Sequence, residues 1–492
     1  MLGPRVMICL AAGVLALAGC FDPGYSDQTT CGPAGECPRG RTCRTGRCVL
    51  ADAPLAPLAD GPGAPDAVPA DARTSVTIAL MKQRPLGGDG TLTSNVGGLA
   101  CGTGCDTINT SVKTGNPVSV SVVPTQKTLF TGWRQPAECA GSLSRTCTFS
   151  ASADTTVVAS FTPHDRNVAF VTSASWGGAL GGQDGASSKC NQAASDVNLD
   201  GIYVAALAMG DKPVSDLLVI NGSSPPSQPL GWMRLDGLEV APNVTYLTTL
   251  HALTYPVLYD EHGNPHLGLV WTGADENGNP GGNIDCHGFS DTSGVGAVGH
   301  SGGGGSIWAY GLNSCVQSAS LLCLEVSKPN QVQHTAGTLG LYIYLSKALF
   351  HPSDGAAAAD AICNAERPEG VGNALRALIA SPGRPAAAIL RAGATYARPD
   401  GVRVGTAEDI IAGKLESGIW VYSDGTYAGD VVVWTGSASI AADGTSSCNG
   451  WTVSTGAGTV GAPVVGPTFW AKPSPLACSV AQPVYCAETV AQ

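Results

Sequence analysis

Three groups of side chains in this sequence are spaced so that they could do chemistry. Gly299-His300-Ser301-Gly302-Gly303 fits G-x-S-x-G, the pattern of a nucleophile elbow, which needs a strand before the serine and a helix after it. The segment Gly294 to Gly305 reads instead as a flexible Gly-rich loop, and no second acid, base or nucleophile stands in a recognisable context. His262 and His266 form the second group, with His251, His287 and His300 nearby in the chain. Two histidines four apart on a helix would aim both rings at a zinc ion, but Gly263, Asn264 and Pro265 break any helix there. The third group is a run of oxygen donors: Asp275, Glu276, Asn277, Asn279 and Asp285. Calcium takes six to eight oxygens, so Asp275, Asn277 and Asp285 are its candidate ligands.

The elements that must position these groups are set by an unusual composition. Only 13% of the 492 residues are charged, while Gly contributes 65 and Pro 33, so turns are frequent and charged faces are few. Length suggests roughly three or four domains. The net charge of -12 argues against a nucleic-acid partner, which calls for a basic face. Eighteen cysteines point to an oxidising compartment. Setting aside Cys9 and Cys20, the other sixteen fall into four groups, each in its own segment. These are Cys31, Cys37, Cys43, Cys48; Cys101, Cys105, Cys139, Cys147; Cys190, Cys286, Cys315, Cys323; and Cys363, Cys448, Cys478, Cys486. The simplest reading is four self-contained disulfide modules. The first group spans too little chain to bury a core without covalent staples. Zinc is its rival, although paired C-x2-C knuckles are missing.

Met1 to Cys20 carries Arg5 and then a short apolar run, Met7 to Ala18, too short to span a bilayer comfortably, so it reads as a signal peptide. Leu17-Ala18-Gly19-Cys20 resembles the lipobox of bacterial lipoproteins. The resemblance implies cleavage after residue 19, a diacylglycerol on the Cys20 thiol and anchoring to a membrane. Phe21 stands where Asp resembles an inner-membrane retention signal, which leans towards the outer membrane of a Gram-negative cell. Residues 20–48 then form the cysteine-rich module. Residues 49–73, with five Pro, eight Ala and four Asp, form a stiff linker that could reach about 75 Å.

Residues 74–163 show short alternating strands, Ser75 to Leu80, Pro117 to Val123 and Thr155 to Phe161, between Gly-rich turns. With GDGTLTSNVGGLACGTGC, LFTGWRQPAECAG and CTFSASADTTVVASF, the segment resembles the divergent internalin-type B-repeat of bacterial surface proteins. The resemblance implies a small β-grasp-like sheet serving as a spacer or adhesion module, with Trp133 in its core. The pairs expected there are Cys101–Cys105 and Cys139–Cys147.

The last 320 residues or so contain an internal repeat, residues 167–326 and 340–489. LVWTGADENGNPGGNIDCHGF answers to VVWTGSASIAADGTSSCNGW, and the second and third cysteines lie 29 and 30 residues apart in the two copies. Each copy starts with a strand (Val168 to Thr172; Leu341 to Leu345), continues into a small-residue helix (Asp184 to Ala194; Asp354 to Ala365) and ends on a strand holding the fourth cysteine. If first and fourth cysteines pair, the ends of each domain meet. This gives Cys190–Cys323 with Cys286–Cys315, and Cys363–Cys486 with Cys448–Cys478. The Trp-Thr-Gly strand, the Cys-x-Gly-aromatic step, the later Trp, the final Leu-Leu-Cys-Leu-Glu and Arg234-Leu235-Asp236-Gly237 resemble the C-terminal half of endostatin, within the C-type lectin-like fold. The fold class expected is therefore α+β: two tandem lectin-like domains, a small all-β domain and a disulfide-rich N-terminal module.

Ligand signatures are weaker. The Glu-Pro-Asn or Gln-Pro-Asp loop and the Trp-Asn-Asp string of calcium-dependent lectins do not occur, and the second copy offers only Asp443 near the equivalent loop. Heparin-like binding needs an arginine cluster, but Arg367, Arg376, Arg384, Arg391, Arg398 and Arg403 share their stretch with carboxylates and read as a solvated face. The expectation is a lipid-anchored binding or adhesion protein with a glycan or protein ligand. The alternative is a hydrolase working through Ser301 and the His-rich loop. Two copies on one chain would add avidity if both bind.

Overall fold

The computed structural model describes residues 41–44, 47–50, 74–218, 231–248, 253–328, 330–332, 340–429 and 431–489. The chain divides into two units, Met1–Ala72 and Arg73–Gln492. In the first, Arg41–Arg44 and Arg47–Leu50 form an antiparallel hairpin with Cys43 opposite Cys48. The expected signal peptide, Cys20, Cys31, Cys37 and the Pro/Ala linker lie outside the described residues. No helix among the described residues is long and apolar enough to cross a membrane.

The second unit is mixed and strand-rich, with several small sheets. Its first part, from Ser75 to Pro163, is built of two four-stranded sheets, where a single grasp-like sheet was expected. One has the order Thr107–Lys113, Ser75–Gln83, Thr155–Pro163, Thr128–Gln135, with the middle two strands parallel. The other pairs Gly90–Ser94 and Thr146–Ser150 to either edge of Pro117–Pro124. The reason lies in the alternation. Val76, Ile78 and Leu80 bury one face of the first sheet, and Val118, Val120 and Val122 one face of the second. Two such faces can only leave water by meeting each other, and they close over Trp133 and Phe130. Disulfides Cys101–Cys105 and Cys139–Cys147 pin two of the turns.

The remainder carries one structural plan twice. Ala169–Val171 pairs with Ser320–Glu325, which also pairs with Tyr203–Ala205. Likewise Leu341–Leu345 and Leu375–Ala377 flank Tyr485–Glu488. The helices Gly182–Asp196 and Ala356–Ala365 follow the first strand of each copy. Each is clipped to the sheet by an asparagine. The Asn191 side-chain amide donates to the Tyr203 carbonyl at 2.7 Å and accepts from its N–H at 2.9 Å, and Asn364 does the same with Leu375 at 2.6 and 3.2 Å. Disulfides join Cys190 to Cys323, Cys286 to Cys315, Cys363 to Cys486 and Cys448 to Cys478, so first pairs with fourth and second with third in both copies. The second cysteine opens a run of left-handed backbone in each, with φ of 51, 54, 66 and 53° over Cys286–Phe289 and 49, 53, 69 and 67° over Cys448–Trp451. Non-glycine residues avoid that region at a cost of about 1–2 kcal/mol each. The disulfide and the buried ring at the end of each run, Phe289 or Trp451, hold it in place.

The copies are fused rather than strung together. Leu258 of the first packs against the core of the second, and Trp420 of the second is buried in a core of the first. Arg234 and Arg398, 2% and 1% exposed, grip Asp236 and Asp400 through Nε and Nη2. Their remaining Nη1 groups meet at the seam. Arg234 reaches the Glu416 carbonyl at 3.1 Å, and Arg398 reaches the Ser417 hydroxyl at 2.8 Å, which in turn donates to the Thr254 carbonyl at 3.0 Å. The β sandwich joins the same body through Leu129 and Leu143, which lie in the core of the first copy, and through His164, whose Nε2 lies 2.8 Å from Glu325.

Candidate functional site

The structure does not assemble a nucleophile elbow at Ser301. Val295–His300 is a strand, not the expected loop, because it pairs with both Leu269–Trp271 and Gly311–Ser314. The strand runs into a glycine turn pressed against the second copy, and after the serine comes only a three-residue 3-10 turn, Gly305–Ile307, rather than the α-helix an elbow needs. A Cβ on Gly304 would lie 2.9 Å from the Trp420 ring, and one on Gly305 would lie 2.5 Å from the Tyr427 hydroxyl. The glycines are therefore there for close approach. The buried Ser301 hydroxyl donates to the His266 carbonyl at 2.8 Å and accepts the Gly268 N–H at 3.0 Å, so it ties two backbone segments together. His300 Nδ1 accepts the Gly302 N–H at 3.1 Å and its ring leans on Tyr310; burial pushes its pKa down.

The proposed calcium ligands serve different turns. Asp275 Oδ1 accepts the N–H groups of Asn277 and Asn279 at 2.8 and 2.9 Å, closing a hairpin tip. Asp285, 7% exposed, accepts the Gly210 N–H at 3.0 Å. The histidines are dispersed as well. His266 lies 3.1 Å from the Ser320 hydroxyl, His287 pairs with Asp291 on the surface, and His251 lies outside the described residues. Among the described residues no group of three or more His, Cys, Asp or Glu is placed to hold a metal ion. The arginine stretch likewise forms no single face. Arg398 is buried in the seam, Arg376 pairs with Asp360, and Arg367 turns to the Val371 carbonyl and the Asn364 side chain.

Among the described residues, one concavity of about 430 Å³ lies on the second copy beside Asp360, Leu375 and Arg376, and two larger ones involve the first copy. One, of about 560 Å³, opens where the 140–143 loop of the sandwich, Tyr259 and Leu267 of the first copy and Leu415 and Glu416 of the second come together. Its walls are chiefly apolar. Burial pushes the Glu416 carboxyl up, with Arg403 Nε at 3.5 Å as its counter-charge.

The other, about 600 Å³, lies on the first copy alone. Its floor is the half-buried indole of Trp176. One wall is the helix Gly182–Asp196, which contributes Ser188, Lys189, Gln192 and Asp196; the other is the turn carrying Glu261 and His262. The turn forms because Asp260 Oδ1 takes the N–H groups of His262 and Asn264 at 3.0 and 2.8 Å, the same Asp-x-x-Gly-Asn-Pro device as at Asp275. Glu261 is directed inward and accepts the Ser173 N–H at 2.8 Å and the Ser173 hydroxyl. The Lys189 ammonium sits 5.4 Å from the Trp176 ring centre, and Gln192 donates to Asp196 at 2.6 Å. Of these residues the sequence reading singled out only His262, and for a different chemistry. A signal for the rest was present in the duplication, where Ser173 and His262 face Lys347 and Asp424 of the second copy. Such concavities, the one beside Trp176 with mixed polar and apolar walls, are suited to non-covalent recognition. No protein-family model matches the chain, and no curated protein matches it significantly.

Proposed function

We propose that this chain is a cell-envelope lipoprotein, lipidated at Cys20, that acts as a binding or adhesion protein through tandem C-type lectin-like domains. The observation that carries the reading is the fused, twice-built body. Four long-range disulfides and two buried Arg–Asp pairs hold a platform that presents concave surfaces, while Ser301 and His300 are tied into backbone hydrogen bonds and the other described histidines are dispersed. The lipobox and the Pro/Ala linker would set this platform away from an outer membrane. The endostatin resemblance supports the lectin-like assignment, and glycans are the favoured ligand.

A glycan array probed with the purified chain, with and without EDTA, together with protease shaving of intact cells, tests the reading. Saccharide binding that survives EDTA and release of fragments from residues 74–489 are expected. An array without a single bound glycan, or cells from which protease releases nothing, would overturn it.

A further inference from the structure

We infer that the cleft on the first copy, between the 173–176 turn, the helix Gly182–Asp196 and the turn at Glu261 and His262, is a site for an uncharged saccharide, and that the second copy has lost it. The inference rests on the binding function proposed above and names its site. The duplication serves as an internal control. Positions that build the scaffold are kept in both copies: four disulfides, the asparagine clips, the left-handed turns and the Arg–Asp grips. The positions lining the cleft are not. With the strands and helices matched through these shared pairings, Ser173, Trp176, Lys189, Gln192 and His262 stand opposite Lys347, Phe350, Ile362, Ala365 and Asp424.

These replacements put an ion pair and a buried ring where the first copy has its opening. In the second copy the Lys347 ammonium pairs with Asp424 across the gap, and Glu366 reaches from the helix end to accept the N–H groups of Lys347 and Ala348 at 2.7 and 2.6 Å. Phe350 is 1% exposed and packs edge-on against Trp451 at 5.5 Å. In the first copy Ser173 is short, His262 is exposed at the rim of the cleft, and the Ser173 backbone N–H is capped from the opposite wall by Glu261. A concavity of about 600 Å³ is left open, within the range of small-ligand sites.

Its chemistry selects the ligand. A sugar ring offers an apolar C–H face and a rim of hydroxyls that both donate and accept. Trp176 supplies an apolar surface, with the Lys189 ammonium held over its ring. Lys189, Ser188 and His262 can donate, and Asp196 and Glu261 accept, from two walls. Two carboxylates against one ammonium oppose acidic sugars and free phosphate. Ligand binding here needs no metal ion.

The test compares variants of the full chain on an array of neutral and acidic saccharides. Ser173→Lys with His262→Asp copies the Lys347–Asp424 pair of the second half at two exposed positions; Gln192→Ala removes one rim amide. The wild-type chain should bind neutral saccharides, the double variant should lose at least tenfold in affinity, and Gln192→Ala should lose severalfold, all with unchanged near-ultraviolet circular dichroism. Should the double variant misfold, Gln192→Ala and Lys189→Ala carry the comparison. Equal binding by the folded variants would overturn the cleft while leaving the binding function in place. Preference for acidic saccharides would also overturn it. A wild-type chain that binds no saccharide would overturn the cleft and the glycan reading together.

Discussion

Lys82 shows how few charges this chain uses and how tightly it holds them. Its side chain is buried, and its ammonium donates to the Gly90 and Gly102 carbonyls and to Asp89, each at 2.7 Å. Asp89 in turn accepts N–H groups from Gly90 at 2.7 Å and Gly104 at 2.9 Å, and Arg84 at 2.9 Å. Burial pushes the Asp89 carboxyl up, but the Lys82 hydrogen bond and the two backbone N–H groups outweigh it and hold the pKa at about 2. A carboxyl with a depressed pKa stabilises the fold above its unfolded value of 3.8, and the contribution fades as pH falls towards 2. Lys82→Met should therefore cost about 1–3 kcal/mol at pH 7 by leaving two carbonyls without a donor. It should also raise the pH at which acid unfolds the sandwich. Urea titrations at pH 7 and pH 3 would check this: the gap between variant and wild type narrows at pH 3, and a gap independent of pH would refute the role given to Asp89. None of this network was legible in the sequence. Lys82 falls in phase with the buried Val76, Ile78 and Leu80, yet a lysine near a strand end reads as solvated, and only the folded turn at Gly102–Gly104 reveals where its head goes.

At the scale of elements, the sequence was far more readable. Strands with period-two alternation, the small-residue helices and the cysteine spacing all follow from local pattern, because one face of each element must be buried and the staples recur at fixed intervals. The left-handed turns at Cys286–Phe289 and Cys448–Trp451 were only half readable: His287, Asn449 and the glycine after each favour that region, but the cysteine and the aromatic residue at either end do not. Pattern also misplaced Val295–His300, where three apolar residues are interleaved with two glycines and resemble a loop. Pairing on both edges turns that segment into a strand despite its composition. The two kinds of disulfide can be separated experimentally. Cys190–Cys323 closes a separation of 133 residues, and Cys101–Cys105 closes one of 4. Loop-closure entropy predicts that replacing the long-range pair with alanines costs about 4–5 kcal/mol and the short one about 2. Thermal unfolding of the two variants should rank them in that order, and equal losses would contradict the entropic account.

For the whole molecule, the question is whether the duplication makes two binding units or one braced unit. The sequence suggested two, each with its own disulfides, and avidity as their common benefit. The seam argues for one. Trp420 leaves its own copy to lie beneath Gly304 of the other and stacks on the Arg398 guanidinium at 5.1 Å, while Leu258 makes the reciprocal crossing. Each copy thus completes the other's core, and the second braces the first. Trp420→Ala should then do more than remove a buried side chain at a cost of about 3–5 kcal/mol. By uncoupling the cores it should split a single calorimetric transition of residues 74–489 into two, the first copy melting earlier. A variant that melts in one transition, merely shifted downward, would mean that the copies are held together by the Arg234 and Arg398 hydrogen bonds and the glycine turn without the crossed side chains.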